Sequence, residues 1–261
     1  VPGRMTAREA FGLENASTVN GQRLDISRPD GRLVIGGATI IATDINCTNG
    51  VIHVIDQVLL PESKRIPAVA KKAGQFNTLL AAVSAAGLSK ILDSAGPFTV
   101  FAPTDDAFEA LPKGTVETLL KPENKQKLVD ILKYHVVSGR VYSDQTAQAG
   151  QAATLLGSVV ETSVTADGLR INDSLVVNGD LETANGVIHV IDAVLLPKPM
   201  SPLQARRTIE EAIRRGVPVF NRGDHGQCAE IYATACQAIV QSVSDEVPQS
   251  VVTALKLLTI Q

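Results

Sequence analysis

Two stretches of the chain carry nearly the same pattern of apolar and polar residues. Residues 49–61 read NGVIHVIDQVLLP, and residues 185–197 repeat them with a single difference, Ala193 in place of Gln57. The match extends backwards without a gap, so that residues 1–61 repeat residues 137–197 at an offset of 136. Residues 62–136 occur once. The sequence therefore contains one complete unit and a shorter copy of its second part.

The repeated segment is predicted to be a β-hairpin. Residues 175–177 and 187–196 are rich in β-branched and aliphatic residues, and Asn185-Gly186 between them is a strong turn signal. Alternation along the second strand separates two faces, Val187, His189, Ile191 and Leu195 on one and Ile188, Val190, Asp192, Val194 and Leu196 on the other. Because both faces are largely apolar, we expect this strand to be buried between a sheet and other layers.

The part that occurs once is predicted to be helical first and extended afterwards. Apolar residues recur at helical spacing from Phe76 to Leu92, with a break at Gly87. Residues 98–103 read as a short strand, and Thr104 is expected to cap the helix that follows it. A further helix is predicted to start near Pro122. Helices that precede the strands indicate an α+β fold rather than alternating βαβ units.

The last part of the chain is predicted to be a small all-α segment. Helical periodicity appears in three stretches, residues 205–215, 227–240 and 247–258. The sequence around Gly223-Asp224 resembles the helix junction of a tetratricopeptide repeat, in which Gly-Asp forms the turn. The predicted domains are therefore a truncated copy at 1–61, a complete domain at 62–198 and a helical segment at 199–261.

Composition narrows the classes of function. The chain has 261 residues, of which 44% are hydrophobic, and a net charge of -3 at pH 7. This charge argues against nucleic acid as an electrostatically bound partner. No window approaches the roughly 18 apolar residues of a membrane-spanning helix. Three Cys are too few for a disulfide scaffold.

No catalytic or metal-binding motif is found. The four His, at 53, 135, 189 and 225, have neither the HExxH pattern nor paired ligand spacing. Asp105 and Asp106 follow Thr104 and are explained by helix capping. We therefore expect no metal, no cofactor and no enzyme activity. A catalytic site assembled from residues distant in the sequence is the remaining alternative, and His189 and Asp192 are its first candidates.

Residues 62–198 resemble a fasciclin domain. Three motifs carry the resemblance, namely TVFAPTDDAF at 99–108, the pair Tyr134-His135, and NGVIHVID at 185–192. The truncated copy keeps only the last motif, at 49–56. The resemblance implies a wedge of two β-sheets with packed helices, exported, often in tandem, used in cell adhesion and matrix contacts, and without a cofactor or a reaction.

The resemblance also implies candidate partner-binding residues. Fasciclin adhesion proteins are thought to engage integrins through a tyrosine-histidine segment, which here is Tyr134-His135. The alternative is structural, because helical spacing places His135 in line with Leu128 and Leu132.

Two further groups of residues are candidates for partner binding. The second motif contributes Asn185, His189 and Asp192, although a neutral His189 hydrogen-bonded to a backbone carbonyl is the simpler interpretation. Arg222-Gly223-Asp224 is the tripeptide that integrins read, and its alternative interpretation is the helix turn described above.

The sequence predicts a secreted or cell-surface protein that mediates cell adhesion or contacts with matrix proteins. The alternative is a module that binds a small molecule or a glycan in a pocket between the sheet and its helices. Asn15, Asn46 and Asn172 start Asn-x-Ser/Thr triplets, which are weak signals for glycosylation. Because residues 1–61 lack the helices of the complete domain, we expect them to expose an apolar face, to dimerise, or to dock elsewhere on the chain.

Overall fold

The computed structural model describes residues 1–197, 202–223 and 225–242. Helices and strands are mixed along these residues, and the strands form two sheets, one of five strands and one of seven. The predicted fold class, α+β with two β-sheets and packed helices, is therefore confirmed. The two sheets lie in different parts of the chain.

The chain divides into two compact units. Unit 1 comprises residues 1–65 and 182–184, and unit 2 comprises residues 66–181 and 185–261. The predicted boundaries after residues 61 and 198 stay a prediction.

Unit 1 is a five-stranded antiparallel sheet preceded by one short helix. The helix α1 spans Ala7–Ala10, and the Thr6 hydroxyl accepts a hydrogen bond from the Glu9 amide at its start. The sheet order follows the chain order, with β1 Asn15–Ser17, β2 Arg23–Ser27, β3 Val34–Ile35, β4 Ala38–Cys47 and β5 Gly50–Ile55. The strand β5 is last in this order. One of its edges therefore pairs with no other strand among the described residues.

Unit 2 contains a seven-stranded sheet with the order β7-β6-β12-β11-β10-β9-β8. Its strands are β6 Phe98–Pro103, β7 Val136–Ser138, β8 Gln151–Ala153, β9 Val159–Thr165, β10 Gly168–Ile171, β11 Ser174–Thr183 and β12 Gly186–Ile191. The strands β11 and β12 are joined by residues 184 and 185, which confirms the predicted hairpin. The turn lies one residue before the predicted pair Asn185-Gly186, because Gly186 is the first residue of β12.

The central strand β12 is buried along its whole length. All six of its residues are buried, as the apolar character of both faces predicted. It pairs with β6 in parallel, in a register that sets Gly186 opposite Phe98 and Ile191 opposite Pro103. The first motif and the last motif of the sequence therefore lie side by side.

Seven helices of unit 2 precede or interrupt its strands. They are α2 Ile66–Ala73, α3 Asn77–Ala86, α4 Ser89–Leu92, α5 Asp105–Glu109, α6 Thr115–Leu119, α7 Lys125–Tyr134 and α8 Ser143–Ala149. Gly87 ends α3 in the left-handed conformation, and the Thr104 hydroxyl caps α5 by accepting from the Ala107 amide. Both predictions are confirmed. The helix predicted near Pro122 begins as a 3-10 turn and becomes α-helical at Lys125.

The two faces of β12 belong to two different clusters of the core. Ile188 and Val190 pack with buried residues of α2, α3, α4 and α7. On the other face, Ile191 packs with Phe101 and Tyr134. Both faces of β12 therefore lie in apolar surroundings. For this reason His189 is the one polar residue in the strand.

Two long helices follow the sheet of unit 2. The helix α9 spans Pro202–Asn221 and α10 spans His225–Ser242. The predicted helices at 205–215 and 227–240 are thus confirmed, but α9 runs on through Pro218 to Asn221. Gly216 of α9 allows α9 and α10 to pack closely, because a Cβ at this position would lie 2.8 Å from the ring of Tyr232 in α10. The helix predicted at 247–258 lies outside the described residues.

Candidate functional site

Tyr134 and His135 lie at the end of α7 with their side chains inside the core. Tyr134 is 4% exposed, and its hydroxyl donates to the Val159 carbonyl at 3.0 Å and accepts from the Asn172 side chain at 3.0 Å. His135 is 2% exposed. The binding of a partner by this pair stays a prediction, and the burial of both rings supports the structural interpretation.

Both ring nitrogens of His135 have a backbone partner. Nδ1 lies 2.8 Å from the Ile131 carbonyl, and Nε2 accepts from the Leu195 amide at 2.9 Å. The ring is therefore neutral, with its hydrogen on Nδ1. Burial lowers the pKa of His135 to about 4, against a partial opposite effect of the bond to Ile131.

We expect acid to destabilise the fold through His135. Since the pKa falls from 6.5 in the unfolded chain to about 4 in the folded chain, the unfolded state binds more protons between these values. The stabilisation is complete above pH 6.5 and is lost as the pH falls, by about 3 kcal/mol at pH 4. Urea unfolding at pH 7 and pH 4 measures the loss. His135→Gln keeps a donor and an acceptor but does not titrate, so between pH 7 and pH 4 its free energy of unfolding should fall by about 3 kcal/mol less than that of the wild type. Equal falls in the two proteins would contradict the prediction.

The buried His189 contacts Asp180, which is partly exposed and contacts Ser143. Its Nε2 lies 2.9 Å from the Val141 carbonyl, and its Nδ1 accepts from the Asp180 amide at 3.3 Å. The Asp180 carboxylate accepts from both the amide and the hydroxyl of Ser143. Burial lowers the pKa of His189, although the Val141 bond and the Asp180 charge act in the opposite direction. The predicted contact of the ring with a backbone carbonyl is present.

The truncated copy shows what this arrangement does. At the equivalent positions, His53 Nε2 lies 2.8 Å from the Met5 carbonyl, and the Asp44 carboxylate accepts from the Ala7 amide at 2.9 Å. Asp44 and Asp180 both have positive φ angles, 56° and 59°. Ala7 replaces Ser143, so the backbone contacts persist without the hydroxyl. The arrangement anchors a loop to a strand, and its Ser, Asp and His do not form a chain from nucleophile to base.

Asn185 and Asp192 bind backbone groups at the two ends of β12. The Asn185 side chain donates to the carbonyls of Leu92 and Ser94, both at 2.8 Å, and accepts from the Ile66 amide at 2.9 Å. Asp192 accepts from the Leu175 amide at 2.7 Å. These contacts join the turn to α2 and α4 and close the hairpin. Their role in partner binding stays a prediction.

Arg222 and Gly223 form an exposed turn between α9 and α10. Of the predicted turn residues Gly223 and Asp224, Gly223 lies in this turn. Gly223 has a φ of 85°, a conformation that glycine adopts without strain. The rings of Phe220 and His225 contact each other in a tilted arrangement, with centroids 4.6 Å apart and an interplanar angle of 57°. Asp224 lies outside the described residues. Integrin binding by the tripeptide stays a prediction.

The sheet of unit 1 exposes the apolar face that the sequence predicted. Ile45, Ile52 and Val54 lie on the strands β4 and β5, and Val58 follows β5. We call these four residues the uncovered face; they are exposed by 36–81%. The equivalent residues of the complete copy are Leu181, Ile188, Val190 and Val194, which belong to the helix-covered core or pack against it. These equivalent positions are therefore covered by helices in unit 2 and exposed in unit 1, within the part of the chain that the structure describes.

Unit 2 contains a cavity of about 90 Å³ between its helices and its sheet. Helices α2, α3, α4 and α7 contribute to its wall together with the strands β6 and β12. The sequence predicted a pocket in this layer but not its lining, because the shape depends on side-chain packing across distant parts of the chain. The lining is almost entirely apolar.

Neither a metal cluster nor a membrane helix is found in the part of the chain that the structure describes. No three His, Cys, Asp or Glu residues within it come together as metal ligands would. Across the same residues, no helix combines the length and the apolar character needed to cross a membrane.

Comparisons with known proteins agree with these features. The Fasciclin domain model matches residues 1–61 and 74–197. Protein sll1483 of Synechocystis sp. is 49% identical over 144 residues, which cover 55% of this chain and 79% of that protein.

Longer animal proteins also match. Transforming growth factor-beta-induced protein ig-h3 of Oryctolagus cuniculus is 33% identical over 71% of this chain, which spans 27% of that protein. Human periostin is 34% identical over 65% of this chain, which spans 20% of it. A solved FAS1 domain pair from the insect cell adhesion molecule Fasciclin I aligns over 75% of this chain and 77% of its own, with 22% identity and a TM-score of 0.42.

Proposed function

Because the chain belongs to the fasciclin domain family, we propose that it is a secreted or cell-surface protein that mediates adhesion by binding a cell-surface or matrix protein. The animal relatives that match it, ig-h3 and periostin, support the proposal, since the family includes adhesion and matrix proteins. The family is generally without catalytic activity, which supports a non-enzymatic role for this chain.

The uncovered face is the observation that carries the proposal. Ile52 and Val54 are 51% and 36% exposed, and as alternate residues of β5 they lie on the same side of the sheet. Among the described residues, one edge of β5 pairs with no other strand. Contiguous exposed apolar surface on a soluble domain marks a protein interaction site. A free strand edge adds backbone donors and acceptors that can pair with a partner.

The same surface is our candidate for self-association. A second copy of the chain would bring an identical face and edge, so that the contact would be self-complementary about a two-fold axis. A cell-surface or matrix protein and a second copy would therefore compete for one surface.

We expect Ile52→Lys to reduce adhesion at least tenfold, because a charged side chain at the centre of the uncovered face must be desolvated on binding. The measurement is attachment of cells, and binding of matrix proteins, to the immobilised full chain. Val164→Lys is the matched control, since Val164 is 66% exposed on β9 of unit 2. Sedimentation of both variants measures self-association in parallel.

Two outcomes of this experiment would overturn the proposal. Equal loss in both variants would show that added charge, and not the face, weakens adhesion. Full binding by Ile52→Lys together with loss in Arg222→Ala would move the contact to the turn between α9 and α10.

The second candidate function is binding of a small molecule or a glycan. The cavity in unit 2 supports it, since enclosed apolar space with a few polar groups at the opening is typical of ligand sites.

A further inference from the structure

The inner wall of the cavity in unit 2 is apolar and buried. Ala70, Leu79 and Val83 contribute from the helices, and Val100 and Ile188 contribute from the sheet. Each of these five side chains is at most 6% exposed. His135 also lines the cavity, but both of its ring nitrogens already bind backbone groups. The wall therefore offers a ligand dispersion contacts and no free hydrogen-bonding group at these positions.

The opening of the cavity has a different chemistry. Ile91 and Leu155 line it and are 43% and 37% exposed, so they mark the side that faces solvent. Ser89 and Lys133 also belong to the lining, Ser89 exposed and Lys133 half-buried. Lys133 is the one cation among the lining residues, and the lining contains no carboxylate. An apolar interior with a cation at its entrance fits an amphipathic anion.

We propose that this cavity binds the apolar tail of a small alkyl carboxylate, with the carboxylate near Lys133 and Ser89. A cavity of about 150 Å³ holds benzene, a ligand of six carbons, so a volume of about 90 Å³ holds a tail of about four carbons. The inference deepens the second candidate function and rests on it, and it is independent of adhesion.

The lining selects against a glycan. A sugar carries a hydroxyl on most of its carbons, and each buried hydroxyl needs a hydrogen-bond partner. The inner wall supplies none, whereas an alkyl tail needs none. The ammonium group of Lys133 favours a carboxylate over a neutral alcohol, since a charged pair at a partly desolvated site is stronger than a neutral hydrogen bond.

Titration of the full chain with butanoate, hexanoate, octanoate, decanoate and dodecanoate tests the proposal by calorimetry. Affinity should rise about fourfold for each added methylene, which is the effect of burying one such group. It should stop rising once the tail fills the cavity, at about four to six carbons. An affinity that climbs steadily to dodecanoate, or no binding at any length, would overturn the proposal.

Three variants locate the ligand. Ala70→Leu fills the cavity and should weaken octanoate binding at least tenfold while the protein stays folded. If Ala70→Leu fails to fold, Ile91→Glu at the exposed opening serves the same purpose, by repelling the carboxylate. Lys133→Gln should weaken octanoate binding about fivefold and leave octanol binding unchanged.

Two control variants separate binding in the cavity from a general effect of charge and from adhesion. Lys127→Gln removes an exposed charge from the same helix outside the lining and should bind octanoate like the wild type. Ile52→Lys should also bind octanoate normally, so that loss of adhesion and loss of ligand binding are distinguishable. Unchanged binding by both Ala70→Leu and Ile91→Glu would place the ligand elsewhere, and equal effects of Lys133→Gln and Lys127→Gln would remove the role of Lys133.

Discussion

Replacing Gly186 with alanine is expected to destabilise unit 2 by more than about 3 kcal/mol. A Cβ at this position would lie 2.0 Å from the Phe98 carbonyl oxygen and 2.9 Å from its carbonyl carbon. Both atoms belong to the backbone of β6, which pairs with β12 in a register that sets Gly186 opposite Phe98. The clash can be relieved only by separating the two strands at the centre of the sheet. Urea unfolding followed by circular dichroism measures the loss.

The truncated copy supplies the control for this substitution. Gly50 has the same sequence neighbours as Gly186, but a Cβ built on it meets nothing within 4 Å. Gly50→Ala should change the free energy of unfolding by less than about 0.5 kcal/mol. Comparable losses at Gly50 and Gly186 would show that the turn sequence, and not the parallel pairing with β6, requires glycine.

Asn185→Ala is expected to destabilise unit 2 by about 3–5 kcal/mol. The substitution removes two hydrogen bonds donated to Leu92 and Ser94 and one accepted from Ile66. Asn185 is 3% exposed, so water cannot replace these bonds without opening the structure. Three backbone groups at the ends of two helices would lose their partner, and each such loss costs about 1–3 kcal/mol.

The equivalent asparagine of the truncated copy, Asn49, is exposed. Asn49→Ala should leave the stability within about 0.5 kcal/mol of the wild type. Thermal unfolding of both variants compares identical chemical changes in two settings. A large loss at Asn49, or a loss below about 1 kcal/mol at Asn185, would contradict the role that we assign to the buried side chain.

The local signals in the sequence were sufficient for most elements of the fold. The hairpin turn, the Thr104 cap and the break at Gly87 are decided by residues close in the chain. The cap and the break lie where the pattern predicted them, and the turn lies one residue earlier. The end of α9 was misjudged, because Pro218 is a helix breaker by propensity but lies inside a helix packed against α10. Tertiary packing overrode the local preference there.

The candidate site was less predictable than the fold. The sequence placed His135 on the apolar side of a helix but could not show that its Nε2 accepts from Leu195, 60 residues away. Similarly, the cavity wall combines residues from Ile66 to Ile188, and its shape depends on how closely they pack. The exposure of the uncovered face was predictable, because the internal repeat showed which covering elements occur only once.

The free edge of β5 has a practical consequence for handling the protein. The strand reads GVIHVI and contains neither proline nor a permanently charged residue, which are the devices by which natural edge strands avoid pairing with one another. Its sequence also has the high β-propensity and low charge of segments that stack into fibrils. Concentrated stocks will therefore be prone to aggregate through this strand, and a lysine at an outward position of β5 is the change that should extend their shelf life.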